Sequence, residues 1–212
     1  MKGITVTKKT LRIASQVLFL ALFSLLFAKG RIQLWLAVFG SSALLSIVFS
    51  RFYCGWIFPM NTQFRPLGWL YKKLGIRRLN TPAFLKKPVF RYIFLVLFVG
   101  SMLVLKKQGI QLPLLAIITG IAVLLTMFFN EDLWHNHLCP YGTILNLTSR
   151  KAARAEKIDE TACISCGACR KVCPVHCIDI VPETKKMRIR TADCITCQLC
   201  EPACPTGAIS FH

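Results

Sequence analysis

Eight cysteines in the last quarter of the chain repeat one spacing twice, and this repeat constrains the fold more than any other feature. The two runs are Cys163-x-x-Cys166-x-x-Cys169-x-x-x-Cys173-Pro174 and Cys194-x-x-Cys197-x-x-Cys200-x-x-x-Cys204-Pro205. Three thiolates separated by two residues each can hold three corners of an iron–sulfur cube from one loop. The fourth cysteine of each run lies too far along the chain to complete the same cube, so it is predicted to bind the other one.

The spacing therefore predicts two [4Fe–4S] clusters with interleaved ligands. One set consists of Cys163, Cys166, Cys169 and Cys204, and the other of Cys173, Cys194, Cys197 and Cys200. Zinc is the alternative for paired cysteines, but a zinc site needs two pairs of ligands and each run here has a third, regularly spaced cysteine. Disulfides are a second alternative, which fails if this half is cytoplasmic because thiols stay reduced there.

The repeat continues beyond the eight cysteines. Cys177-Ile178-Asp179-Ile180 aligns with Ala208-Ile209-Ser210-Phe211, so the ninth cysteine, Cys177, matches an alanine and is predicted to be a small buried residue. Residues 178–181 and 187–189 are expected to form a short hairpin. Over about residues 160–212, this module resembles the two-cluster bacterial-type ferredoxin domain.

The charge of the chain is unevenly distributed. The segment 1–130 contains 17 of the 27 Lys and Arg side chains and no acid, since Glu131 is the first carboxylate. The same segment holds long apolar runs in a chain that is 54% hydrophobic. Basic residues that border apolar runs are typical of membrane proteins. Nucleic-acid binding, the competing explanation of a basic chain, is not favoured because the charges do not form one soluble patch.

Four apolar runs are predicted to span a membrane: about 13–28, 32–49, 89–105 and 110–129. A buried helical core is the alternative, but no matching amphipathic helices are evident to cover these runs. The predicted fold is thus membrane α-helical with four transmembrane helices, plus a small α+β two-cluster domain. We expect a transmembrane domain at 1–143, a basic linker helix lying at the inner leaflet at 144–159, and the cluster domain at 160–212. The alternative for the linker is a solvated segment.

Loop charges predict the orientation. The N-terminus and the polar, basic loop 50–88 carry most Lys and Arg, which places them, both termini and the cluster domain on the cytoplasmic side of the inner membrane. A cleaved signal peptide is the alternative for the first run. We expect an uncleaved span, because bulky Leu26 stands where a cleavage site needs a small residue.

A second repeat lies in the membrane half. Cys54-Gly55-Trp56-Ile57-Phe58-Pro59 and His135-Asn136-His137-Leu138-Cys139-Pro140 are related by an offset of 81. The chain thus has two predicted hairpins, each followed by such a motif, and one double cluster module after the second motif. This order resembles the NapH/NosR-type membrane ferredoxins over nearly the whole chain. The resemblance implies electron transfer between a membrane quinone pool, cytoplasmic clusters and partner redox proteins.

The chain departs from that pattern, because Phe58 and His135 each stand where a cysteine is expected. Cys54 and Cys139 remain, and three interpretations are open. They could form a redox-active thiol pair, bind a further metal ion together with His135 or His137, or simply pack. A homodimer would bring four such thiols together.

Four titratable residues follow the fourth apolar run: Glu131, Asp132, His135 and His137. As quinol oxidation releases protons, these groups are candidate proton or quinone contacts; a plain polar helix end is the alternative. No histidine precedes His135 and no dinucleotide fingerprint occurs, so electrons are expected to pass through clusters, quinone or partners. The predicted function is a membrane-anchored electron-transfer subunit, with membrane lipid and redox proteins as partners. The alternative is a membrane-tethered ferredoxin for metal-centre maturation or redox sensing.

Overall fold

A computed structural model describes residues 2–76, 78–109 and 114–212, and the chain before residue 150 is largely helical. The helices of this half are α1 (Lys2–Ala28), α2 (Trp35–Phe49), α3 (Phe52–Trp56), α4 (Pro59–Lys73), α5 (Pro88–Lys107), α6 (Leu114–Phe128) and α7 (Pro140–Thr148). A π-helical turn at Leu133–Leu138 directly precedes α7.

Three segments of this half are long and apolar enough to cross a membrane: Lys8–Ala28, Ile32–Phe49 and Pro88–Lys107. They correspond to the first three predicted spans. Of the fourth, residues 110–113 lie outside the described residues, and α6 is a shorter apolar helix of 15 residues. Four transmembrane helices therefore stay a prediction, whereas a mostly helical half with apolar helices is observed.

The apolar helices direct much of their surface outward. None of the residues of α5 is buried, and Val96 and Leu97 are 69% and 63% exposed. A continuous exposed apolar surface is unfavourable in water and is expected where lipid covers it. The aromatic core lies between the helices, and in it the buried Trp35, at the start of α2, donates from Nε1 to the Tyr53 hydroxyl at 2.8 Å.

The segment 50–88, expected to be a polar loop, contains the amphipathic helix α4. Met60 and Phe64 lie one turn apart on α4 and are fully buried, while Trp69 is 63% exposed. Helix α4 packs against α1 and α6. The basic residues of this segment concealed the helix, because its buried apolar face is short.

The predicted linker helix at 144–159 is wrong in its second half. Helix α7 ends at Thr148, and strand β1 (Glu156–Ile158) pairs antiparallel with β4 (Ile209–Phe211). This pairing satisfies backbone groups that a strand edge would leave open. Arg154 instead lies over the Phe49 ring at 5.7 Å, at the end of α2.

The C-terminal domain consists of short elements around two cysteine loops. Besides β1 and β4 it contains α8 (Ala168–Val172), β2 (Ile178–Ile180) and β3 (Met187–Ile189). Strands β2 and β3 pair antiparallel with Ile178 opposite Ile189, so the predicted hairpin is confirmed. Two small two-stranded sheets and one short helix thus frame the cysteine loops.

Candidate iron–sulfur site

Each predicted set of four cysteines lines a cavity of its own in the C-terminal domain. We call them the distal site, lined by Cys163, Cys166, Cys169 and Cys204, and the proximal site, lined by Cys173, Cys194, Cys197 and Cys200. The last cysteine of each run thus lies with the first three cysteines of the other run.

The loops that carry the cysteines turn at equivalent positions. Ser165 and Gly167 in the first run have φ values of 60° and 72°, and their counterparts in the second run, Thr196 and Gln198, have values of 52° and 55°. Residues other than glycine seldom adopt this left-handed conformation. Its recurrence in both runs wraps each loop around its cavity, which is the shape that a cube bound from one loop requires.

The donor sets fit iron–sulfur clusters. Burial and the neighbouring Cys194 raise the pKa of Cys197 to about 12, and burial raises the pKa of Cys200 well above its ordinary value. A metal that binds thiolates supplies the positive charge that stabilises them. Four thiols around each cavity are the donor set that a [4Fe–4S] cluster uses.

When bound, clusters of this kind supply one-electron transfer, and the protein sets their surroundings. Cys177 contributes to these surroundings at the proximal site. It is 2% exposed, and its Sγ lies 3.5 Å from the Sγ of Cys173. This hydrogen bond lowers the pKa of Cys173. The cysteine predicted to be a small buried residue is therefore buried against a predicted ligand.

The helical half docks onto the loop that carries Cys194, Cys197 and Cys200, which we call the proximal loop. Arg51 is fully buried and donates to the carbonyl oxygens of Ala192 and Asp193, at 3.5 Å each. Trp56 Nε1 donates to the Thr196 carbonyl at 3.1 Å. These contacts join the two ends of α3 to the backbone on either side of Cys194.

The second repeat motif docks beside the first. Asn136 Nδ2 donates to the Val175 carbonyl at 2.8 Å. Gly55, its counterpart at the offset of 81, lies so close to the proximal loop that a Cβ there would overlap the Ile195 carbonyl oxygen. Both motifs therefore hold the cluster domain at one end of the bundle.

Sequence reasoning missed Arg51, Gly55 and Asn136 as docking residues, although the offset of 81 was a signal for the last two. It also missed Glu156, which lay in the predicted linker. Glu156 is 1% exposed and lines the proximal cavity. Burial, with a contribution from Glu201, raises the pKa of Glu156 to about 7.

The candidate proton contacts fall into separate environments. Glu131 is buried and pairs with Arg78 at 3.4 Å, and burial raises its pKa. His137 Nε2 lies 3.5 Å from Asp132 Oδ2. Burial opposes ionisation of Asp132, but hydrogen bonds from His137, Asn136 and Thr81 outweigh it and lower the pKa of Asp132.

Asp132 and His137 line a polar cleft between the two halves, which we call the interdomain cleft. Its volume is about 630 Å³, and its walls also include Lys86, Arg91, Arg170 and Arg190. Glu131 and His135 are not among the residues that line it. Two of the four predicted contacts are therefore brought together at a cavity.

Cys54, Cys139 and His135 lie together around Arg51. Arg51 Nη2 is 2.8 Å from the His135 carbonyl and 3.9 Å from Cys54 Sγ. Burial raises the pKa of Cys139 to about 12, and burial and Arg51 lower the pKa of His135 to about 3. The fixed positive charge disfavours a cation among these groups, and His137 lies apart in the cleft. The arrangement favours the packing interpretation of the two thiols.

Two families have sequence models that match the chain. One, described as "4Fe-4S dicluster domain", matches residues 162–208. The other, described as "4Fe-4S binding domain", matches residues 31–77 and 111–158, one match for each repeat of the helical half. No solved structure matches the chain.

Several curated proteins are similar over most of the chain. The putative electron transport protein YccM of Escherichia coli is 25% identical over 70% of this chain and 47% of its own length. The ferredoxin-type protein NapH of Haemophilus influenzae is 28% identical over 61% and 49%. The methylamine utilization ferredoxin-type protein MauN of Methylorubrum extorquens is 28% identical over 73% and 58%. The chain spans about half the length of the curated relatives it matches.

Fold, site and comparisons together define a class: iron–sulfur proteins of the ferredoxin type, with helices long and apolar enough to cross a membrane. Within this class, the chain is similar to the NapH-type membrane ferredoxins, in agreement with the resemblance seen in the two sequence repeats.

Proposed function

We propose that this chain relays electrons between the membrane quinone pool and redox partner proteins, through clusters at the proximal and distal sites. The eight cysteines, in sets of four, are the proposed ligands. Three apolar helices long enough to span a membrane support the location. The names of its relatives, ferredoxin-type and electron transport proteins, support the general role.

The observation that carries this proposal is the unequal placement of the two sites. The proximal loop is packed beneath the helical half through Arg51 and Trp56. At the distal site, Cys166 is exposed and Ile164 is 60% exposed. An electron from the membrane side would therefore reach the proximal cluster first, and a partner would dock at the distal one.

The proposed quinone end is the interdomain cleft. Asp132 is held ionised by its hydrogen bonds and adjoins His137, and a histidine beside a carboxylate is a suitable acceptor for a proton released by a quinol. The cleft adjoins Pro88, the first residue of the apolar helix α5, which gives a quinone ring access from the bilayer.

The proposed orientation places both termini and the cluster domain in the cytoplasm. Lys8, near the start of α1, pairs with Glu201 of the cluster domain at 2.8 Å. The first half of the chain also carries its basic excess in segments at this end of the bundle, as the positive-inside rule requires of a cytoplasmic face.

The test is a titration of the full-length, cluster-loaded protein in lipid nanodiscs with a short-chain quinol analogue. Electron paramagnetic resonance reports the reduction of each cluster. We expect the quinol to reduce the clusters, and His137→Gln to slow this reduction while leaving reduction by dithionite unchanged. His212→Gln, an exposed histidine, is the control. Failure of quinol to reduce either cluster in the wild-type protein would refute the quinone step.

The alternative function, in metal-centre maturation or redox sensing, needs reactive thiols at Cys54 and Cys139. Both are buried inside one chain with raised pKa values, which does not favour thiol exchange or pairing across a homodimer. Replacement of both by serine distinguishes the two functions. Loss of partner maturation with intact electron flux would support the alternative.

A further inference from the structure

Three arginines are withdrawn from solvent at the end of the helical half that faces the cluster domain. Arg12 on α1 is 4% exposed, Arg51 is fully buried, and Arg65 on α4 is partly buried. Each has a buried guanidinium nitrogen without a hydrogen-bond partner among the described residues: Nε of Arg12, Nε of Arg51 and Nη2 of Arg65. A buried charge is costly unless an opposite charge compensates it. The chain that precedes Glu131 contains no acid, and Glu131, which interacts electrostatically with Arg65, is itself paired with Arg78 at 3.4 Å.

The three side chains converge on the proximal site. Arg12 lies at a cavity shared with Gln198, which directly follows Cys197 in the sequence, and with Glu201, which pairs with Lys8. Arg12 and Arg65 are both within electrostatic range of the Cys197 thiol. Arg51 contacts the carbonyl of Asp193, directly before Cys194. Positive charge therefore surrounds the loop that carries three of the four proximal cysteines.

The distal site has different surroundings. Among the described residues, those that line its cavity are uncharged, whereas those that line the proximal cavity include Glu156, and the three arginines lie outside that lining. Lys186 donates to the Cys163 carbonyl, but its side chain is partly exposed, so solvent screens its charge. The two sites thus share a cysteine pattern and differ in the fixed charge placed around it.

We propose that Arg12, Arg51 and Arg65 are electrostatic partners of the proximal cluster and raise its reduction potential above the value that burial alone would set. A cube held by four thiolates is negative when oxidised and more negative when reduced, so nearby positive charge stabilises the reduced form more. The cluster next to the membrane is thereby made easier to reduce. The proposal rests on the cluster assignment within the proposed function, and not on the identity of the electron donor.

The test is a redox titration of the full-length, cluster-loaded protein in lipid, followed by electron paramagnetic resonance. The Cys166→Ser variant identifies which signal belongs to the distal cluster. At a fixed potential, Arg65→Gln and Arg12→Gln should each lower the ratio of reduced to oxidised proximal cluster about tenfold, the size expected of one partly buried charge. That ratio corresponds to about 59 mV for a one-electron couple. Arg65→Lys, which keeps the charge, should retain most of the wild-type potential.

Arg188→Gln is the matched control, because it removes the same charge from an exposed position on β3. The proposal is overturned if the Arg12 and Arg65 variants shift the proximal potential no more than this control does, or if they shift the distal cluster equally. Should Arg65→Gln fail to take up its clusters, Arg12→Gln and Arg65→Lys decide the question. A quinol that reduces neither cluster would refute the quinone step and leave these potentials measurable.

Discussion

Several buried residues at the junction of the two halves are polar, and their chemistry follows from what surrounds them. His135 is 1% exposed, its ring nitrogens have no hydrogen-bond partner among the described residues, and its ring meets that of Phe64 edge-on at 5.5 Å. Arg51 binds its backbone carbonyl. His135 is therefore a neutral, packed ring. Its position four residues before Cys139 in the sequence does not make it a metal ligand.

Burial of neutral His135 predicts a loss of stability in acid. Its pKa is about 3 in the folded protein and about 6.5 when unfolded, so between these values the unfolded state binds the extra proton and is favoured as pH falls. From pH 6.5 to 4.5 we expect wild type to lose about 2–3 kcal/mol relative to His135→Leu. Thermal unfolding in detergent at both pH values measures this difference. An equal acid response in His135→Leu and in the exposed-site control His212→Leu would contradict it.

The two repeats of the helical half share one arrangement of secondary-structure elements. Helices α4 and α7 both begin at a proline, Pro59 and Pro140, which stand at equivalent positions of the repeat. Proline suits the first turn of a helix because its fixed φ matches and its missing N–H is not needed. Directly before them lie α3 and the π-helical turn, which carry the residues that contact the cluster domain. Each hairpin thus ends in a docking element followed by a helix.

Because α3 lies close to the proximal loop, we predict that a larger residue at Gly55 destabilises the protein. A Cβ at this position would overlap the Ile195 carbonyl and lie 3.2 Å from that of Thr196, so Gly55→Ala must displace the proximal loop. We expect a destabilisation of about 1–3 kcal/mol and an altered signal from the proximal cluster alone. Gly40→Ala on α2 is the control, since a Cβ there meets no atom within 4 Å. Equal unfolding temperatures for the two variants would show that the contact is not tight.

For the whole molecule, the cluster domain is held at one end of the helical bundle by contacts from several elements. Lys8 pairs with Glu201 at 2.8 Å, and Arg91 lies 3.7 Å from Asp193. The opposite end carries Lys106 and Lys107 at the end of α5. Since most Lys and Arg residues of the helical half lie at the end that holds the cluster domain, the proposed orientation places that end in the cytoplasm.

This arrangement predicts opposite accessibility at the two ends of α5. A cysteine introduced by Lys107→Cys should react with an impermeant maleimide added to intact cells, whereas one introduced by Lys86→Cys should react only after permeabilisation. Both lysines are exposed, so the comparison depends on sidedness and not on burial. Labelling of Lys86→Cys in intact cells would invert the proposed topology.

Local patterns were sufficient for the cysteine sets, the β2–β3 hairpin and the first three apolar helices. Ligand spacing, strand alternation and hydrophobic length each act over a short stretch or along one helix, so they can be read without knowing the fold. The linker at 144–159 could not be read in this way. Its second half has a helix-compatible composition, but pairing with β4, at the far end of the cluster domain, makes it a strand.

Residue type and spacing predict two iron–sulfur sites beside a basic, apolar helical half, because both features are recognisable over short stretches of sequence. Which site faces the helices, and which residues hold it there, became apparent from the packing of the fold. Arg51, Asn136 and Gly55 have no local signature as docking residues. Their roles arise from carbonyl groups brought to them by a distant loop, and such contacts are set by how whole elements pack.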